Sequence, residues 1–345
     1  MFSKSIYFIA ILCIVCVSSC NKNNTIVYET PKFPKHSDLE ISPLNTDYLF
    51  RYACRILVYD SLLIVGTLNE ENHIAIFNRH SGNLITEFGK KGDGPKDLII
   101  PTEYSIDYSK GKMYVNDYGH QAILAYNIND IVNEEVPSYK KINFSHSFKM
   151  LNKILFLKDS LFVSPNYSCR YSIASPKYIT HNVNTSIGDI NKFSEEEWNY
   201  FMNEYACHTT SPDGVHFASG SSLGGILELF SFDNKEVKRH ALKRYYEPIF
   251  KKKGHIYEIC EETIGGFSYL NATTKHLYAT VFGIINPQTK PTQIWKLDWK
   301  GNPIEIFNSN GYPIDCFAVC EEEGLIYAIT NDEDGEQIIV KMKIH

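Results

Sequence analysis

Residues 52–88 read YACRILVYDSLLIVGTLNEENHIAIFNRHSGNLITEF. The apolar run Tyr52–Tyr59 turns at Asp60-Ser61 into Leu62–Thr67. A polar loop, Asn69–Asn72, leads into His73–Phe77, and Ser81-Gly82-Asn83 turn the chain into Leu84–Phe88. Each run is rich in Ile, Val, Tyr and Phe, bounded by turn residues and too short for a typical helix. Four such runs in succession make one four-stranded antiparallel sheet.

The unit recurs to the end of the chain. A second runs from Tyr104 through MYVND (113–117) and ILAYNI (123–128) to about Phe144. KDSLFV (158–163) in the third repeats YDSLLIV (59–65) of the first. The fourth starts Tyr205-Ala206-Cys207-His208, echoing Tyr52-Ala53-Cys54-Arg55, and passes through SPDG (211–214) and GILELFSF (225–232). The fifth reads GFSYL (266–270), HLYATV (276–281), TQIWKLDW (292–299) and IEIF (304–307). The sixth shows three runs, DCFAVC (315–320), GLIYAIT (324–330) and EQIIVKMKI (336–344). Six units of roughly 49 residues have the spacing of propeller blades. The fold class is therefore all-β, a six-bladed propeller of four-stranded antiparallel blades. Because a ring must not leave an open edge, an amino-terminal strand is expected to complete the last blade, from Thr25–Tyr28 or Leu39–Ile41. Ser194–Tyr205 (SEEEWNYFMNEY) interrupts the strands with a helix signature: a Ser cap, early acids and an apolar stripe of Trp198, Phe201, Met202 and Tyr205. It is expected to cover the junction of blades three and four.

Phe88-Gly89-Lys90-Lys91-Gly92-Asp93-Gly94-Pro95 is similar to the FGxxGxGPxEF signature of the TolB-like six-bladed β-propeller lipoproteins of Bacteroidetes. Ile187-Gly188-Asp189, the helical segment, Ser211–Gly214 and Gly224–Leu229 follow in that family's order. The likeness spans nearly the whole chain after residue 19. It departs after Pro95, where Lys96-Asp97-Leu98 replace a small residue, a glutamate and a phenylalanine. The resemblance implies a six-bladed ring in a Gram-negative cell envelope and implies no enzyme activity.

The first residues are an address. Lys4 precedes twelve apolar residues, Ile6–Val17, fewer than the ~20 needed to span a bilayer and suited to a signal peptide. Val17-Ser18-Ser19-Cys20 resembles a lipobox, with Cys20 the lipidation site and Asn21–Asn24 a polar tether. The organisation expected is a lipoprotein signal peptide at 1–19, a lipidated tether and possible closing strand at 20–37, and the propeller at 38–345. The protein would then be an outer-membrane lipoprotein facing the periplasm, held to the membrane through Cys20. Cys13 and Cys16 leave with the signal. The remaining cysteines, at 54, 169, 207, 260, 316 and 320, show no paired short spacing and are expected as free thiols.

Residues 1–19 hold one lysine and no acid, so their removal takes the net charge from −6 to −7. Such a balance argues against a nucleic-acid partner. The glycine-rich loop 89–95 lacks the Gly-Lys-Ser/Thr of a phosphate cradle and is read as a blade-to-blade crossing. Asn331–Glu336 reads as a hairpin turn, not a calcium loop. The histidines are scattered without a zinc motif, so no metal ligands and no catalytic residues are assigned, and no cofactor is indicated. Ligands of propellers generally use the face formed by the loops joining strands two and three and those joining blades. That face and the channel mouth should gather Arg55, Glu103, Tyr104, Tyr118, His120, Tyr167, Arg170 and His208. Aromatic faces beside charged donors suit a glycan or a peptide. The expected function is thus non-catalytic binding of a glycan, peptide or envelope protein. A metal-dependent hydrolase or lyase, and a scaffold subunit of an outer-membrane complex, are the alternatives.

Overall fold

The computed structural model describes residues 27–68, 71–134, 136–144, 153–175, 179–183, 194–233, 236–253 and 256–345. The signal segment, Cys20, the tether as far as Ile26, and Ile187–Asp189 lie outside them.

Six antiparallel sheets follow one another along the chain. Blade one is Ala53–Tyr59, Leu62–Thr67, Asn72–Asn78 and Leu84–Lys90; blade two is Pro101–Asp107, Lys112–Asp117, Ala122–Asn127 and Tyr139–Ile142. Blade three is Leu155–Phe156, Phe162–Pro165, Tyr171–Ala174 and Ile179–Val183. Blade four is Ala206–Thr210, His216–Ser221, Ile226–Asp233 and Glu236–Arg244. Phe267–Ala272, His276–Val281, Gln293–Asp298 and Pro303–Asn308 form blade five; Cys316–Cys320, Leu325–Asn331 and Gln337–Lys343 belong to blade six. The repeated Asp-Ser turns are tight for one reason: Asp60 (φ 53°) and Asp159 (φ 57°) take the left-handed conformation, which aspartate tolerates better than most residues.

The amino-terminal strand closes the ring. Glu40–Pro43 pairs antiparallel with Gln337–Lys343, with Ile41 opposite Met342, and supplies the fourth strand of blade six. The strand before it, Lys35–Asp38, does something that periodicity did not suggest. It runs parallel to Pro303–Asn308, Lys35 opposite Glu305, as a fifth strand on blade five. Glu305 holds it there, accepting from Lys35 Nζ at 2.7 Å and Ser37 Oγ at 2.6 Å. Leu39, 2 % exposed, is buried between the two blades.

The core is divided by the same geometry. Six apolar layers occupy the six junctions between neighbouring blades, each built from the facing sides of two sheets. A seventh cluster belongs to the helix Glu195–Glu204, which packs Trp198, Phe201 and Met202 against Ala206 and Ile226 at the start of blade four. Ser194 caps it in a capping box with Glu197. The six cysteines named above are free thiols.

Candidate functional site

The innermost strands run in one direction around the channel, so their first residues form its upper rim. In blades one, two and five the pairing of the inner strand slips at the same place: after Ala53, Pro101 and Phe267. A bulge re-aims the next side chain. The residues after the three slips are Arg55, Glu103 and Tyr269, and they meet. Arg55 Nε and Nη2 donate to the two Glu103 oxygens at 3.1 and 3.2 Å, and the guanidinium lies 5.7 Å from the centre of the Tyr269 ring. Glu103 holds Arg55 firmly in its charged form, raising its pKa well above the ordinary value. Burial pushes the Tyr269 phenol upward, so it stays protonated.

Arg55, Glu103 and Tyr269 line a cavity of about 200 Å³, together with side chains of five blades. Tyr104 lies beneath them, closed against Gly66, where a Cβ would come within 2.7 Å of its ring. Across the channel, Lys153 Nζ donates to the carbonyl oxygens of Ala206 (2.6 Å) and Asn203 (3.1 Å). His208 shares a 3.3 Å hydrogen bond with Ser219 Oγ through Nε2. Burial, then the charges of Lys153 and Arg170, hold the His208 pKa well below that of a free imidazole. The ring is therefore neutral near pH 7. Burial also raises the neighbouring Cys207 thiol to about 12, which removes it as a nucleophile.

The same channel widens at the opposite face into a cavity of about 390 Å³. Leu57, Tyr108, Pro212, Asn271 and Ala272 line both spaces, so the two adjoin. This wider mouth is walled by the turns between first and second strands. Arg79 pairs with Glu323 at 2.5 Å, and Glu321 receives Thr273 Oγ1 at 2.5 Å and a short bond from His276. Thr274, Lys275 and Glu322 on this wall are exposed.

Of the eight residues singled out from sequence, Arg55, Glu103, Tyr104 and His208 come together around the channel. Tyr118, His120 and Tyr167 stand on the upper rim outside it. His120 Nδ1 is 2.7 Å from Asp117 Oδ2, while Tyr167 makes a short bond to Glu204 and stacks obliquely on Tyr200. Arg170 does not reach the channel. Its side chain is wholly buried, donating to Glu228 (2.6 Å), Asn203 (2.6 Å) and Ser219 (2.8 Å), and lying 4.2 Å from the Tyr171 ring. It ties blade three and the helix to blade four. Lys153, Tyr269 and the whole of the wider mouth were not singled out from sequence. The start of GFSYL, aligned with YACRIL, was the available signal for Tyr269.

The glycine loop behaves as a crossing. Asp97 Oδ2 accepts from the Gly94 N–H at 3.1 Å, and a Cβ on Gly92 would meet that carboxylate at 2.3 Å. Leu98, at the family's phenylalanine position, is fully buried between blades one and two. The loop amides are thus taken up by the chain itself, Gly94 by the Asp97 carboxylate and Gly92 by the Leu98 carbonyl. Among the described residues no three His, Cys, Asp or Glu side chains are grouped to share a metal ion.

The model of a TolB-like six-blade propeller-like family matches residues 32–322. A crystal structure of a Bacteroides fragilis protein assigned as exported superposes with a TM-score of 0.61 at 14 % identity, over 93 % of this chain and 99 % of that one. A member of the DUF4221 family from Bacteroides vulgatus gives 0.53 at 12 % identity, over 89 % and 96 %. At these identities the likeness is one of fold. No curated protein matches the chain.

Proposed function

The chain belongs to the TolB-like six-blade propeller family, and from that premise we propose that it is a non-catalytic protein of the cell envelope whose channel binds a polar ligand, a glycan or a short peptide. The observation that carries this is the lining. The channel cavity is walled by Arg55, Glu103, Lys153, His208, Tyr269 and Tyr108, aromatic faces set among hydrogen-bonding groups. Arg55 is paired with Glu103 and Lys153 Nζ is held by backbone carbonyls, which favours neutral or zwitterionic groups over a bare ion. Lipidation at Cys20 and a periplasmic orientation in the outer membrane complete the reading. They rest on the lipobox, and the exported assignment of the Bacteroides fragilis relative agrees with an envelope or secreted location.

Tyr108 is the residue to test. It lines both cavities, is 40 % exposed, donates to the Val58 carbonyl at 3.1 Å and lies 6.1 Å from the Tyr59 ring, contacts light enough that its loss should leave the fold intact. Titration calorimetry with neutral and acidic oligosaccharides and with tri- to hexapeptides should find a binder that Tyr108→Ala weakens at least tenfold. The binder should be recovered chemically unchanged. Equal affinity in the variant, or a processed ligand, would sink the reading.

A further inference from the structure

The upper face of the ring carries an apolar ledge beside blades four and five. The hairpin Phe250–Lys253 and Ile256–Ile259 forms a separate two-stranded sheet, with Phe250 packed on the helix cluster. Ile249 before it is 41 % exposed and Ile259 at its end 44 %. Ile284 and Ile285, in the strand two to three loop of blade five, are 56 % and 53 % exposed. The segment Thr263-Ile264 links the two pairs: Ile249 N–H donates to Thr263 Oγ1 at 3.2 Å, and Ile264 forms a β-bridge with Ile285. Leu68 and Ile100, in the upper loops of blades one and two, are about half exposed as well. Four exposed isoleucines on backbone segments linked in this way mark a place where something docks.

The position of the amino terminus says what. Tyr28 packs on the helix cluster that also holds Phe250, and the Glu29 N–H donates to the Arg244 carbonyl at 2.9 Å, at the upper end of the outer strand of blade four. The chain therefore arrives at the ring beside the hairpin. Cys20 lies seven residues before Val27, a reach of at most about 25 Å for extended chain. An anchor at Cys20 keeps this edge of the upper face within that distance of the bilayer.

We propose that the ledge of Ile249, Ile259, Ile284 and Ile285 rests on the lipid surface, fixing the propeller with its upper face toward the membrane and its wider mouth toward solvent. The inference rests on the lipid anchor proposed above. Local charge does not drive it. By sequence the hairpin's three lysines, at 251, 252 and 253, are matched in number by Glu258, Glu261 and Glu262, and Lys253 pairs with Glu258 at 2.6 Å, so the contact is apolar and should respond little to salt. A fixed orientation has a consequence for the channel. Ligand from solution would enter past Tyr108 and Lys275 rather than past Arg55.

The test uses the full, processed protein in vesicles of phosphatidylethanolamine and phosphatidylglycerol whose acyl chains are brominated. Tryptophan is introduced singly, as Ile259→Trp, Ile285→Trp or, on the opposite face, Lys275→Trp. Flotation with the vesicles reports the anchor, and quenching of the added fluorescence reports the face. The expected result is flotation of all three, with at least a twofold loss of added emission at 259 and 285 and none at 275. Flotation with no quenching at 259 and 285 would overturn the docking while leaving the anchor standing. A protein that neither floats nor carries the lipid mass would overturn the anchor and the docking with it. Concentration-dependent pairing through the same residues, without quenching, would assign the ledge to a second copy instead.

Discussion

Single residues divide here into those that face the channel and those that hold the wall behind it. Arg55 lines the cavity, whereas Arg170 is sealed with Glu228, Asn203 and Ser219. An ion pair buried that deeply contributes little net stability while intact, though breaking it leaves a costly unpaired charge. The histidines give a measurable signature. His73, His208 and His216 all have pKa values lowered chiefly by burial. The unfolded chain, with ordinary imidazoles near 6.5, takes up protons first as the pH drops. Stability is therefore full above about pH 6.5 and falls below it. Thermal unfolding at pH 7.5, 6 and 5 should show a declining midpoint, and His208→Gln should flatten part of that decline. Carboxylates with lowered pKa values, such as Asp117 and Glu321, act only at more acid pH. An unchanged slope in His208→Gln would show that its burial costs nothing on protonation.

At the scale of the element, each blade is a set of strands, and two features depart from a plain four-stranded repeat. One is the helix Glu195–Glu204, whose boundaries follow from its cap. Ser194 Oγ accepts from the Glu197 N–H at 3.2 Å, and Glu197 Oε2 accepts from the Ser194 N–H at 2.8 Å. Ser194→Ala should cost about 1 kcal/mol, seen as a lower urea midpoint at unchanged slope. A changed slope would mean that the helix unfolds apart from the ring. The other feature is the repeated bulge in the inner strands of blades one, two and five. Sequence placed Arg55 and Glu103 at the rim because each begins an inner strand. The slip that turns Arg55, Glu103 and Tyr269 onto one another is a matter of register, decided by pairing with the second strand. No side-chain pattern announces it.

The whole molecule depends on its clasp. The amino-terminal segment lends Lys35–Asp38 to blade five and Glu40–Pro43 to blade six, with Leu39 buried between them. One short stretch thus ties two neighbouring blades and protects the outer edge of each. Leu39→Ala should cost about 2–5 kcal/mol, as for other fully buried leucines. Hydrogen exchange should loosen first in Gln337–Lys343, the strand against which Glu40–Pro43 lies. If exchange there stayed as slow as in the wild type, the clasp would not be what closes the ring.

Taken alone, the amino-acid order determined the number of blades, the strands and turns of blades one, five and six, the capped helix and the need for an amino-terminal strand. These follow from alternation, turn chemistry and length, which act over a few residues. Tertiary structure decided the rest: the parallel fifth strand on blade five, the burial of Arg170, the meeting of Arg55 with Tyr269 across 214 positions of chain, and the wider mouth. Closure of the ring brings side chains from distant blades within a few ångströms, and proximity of that kind leaves no trace in local periodicity.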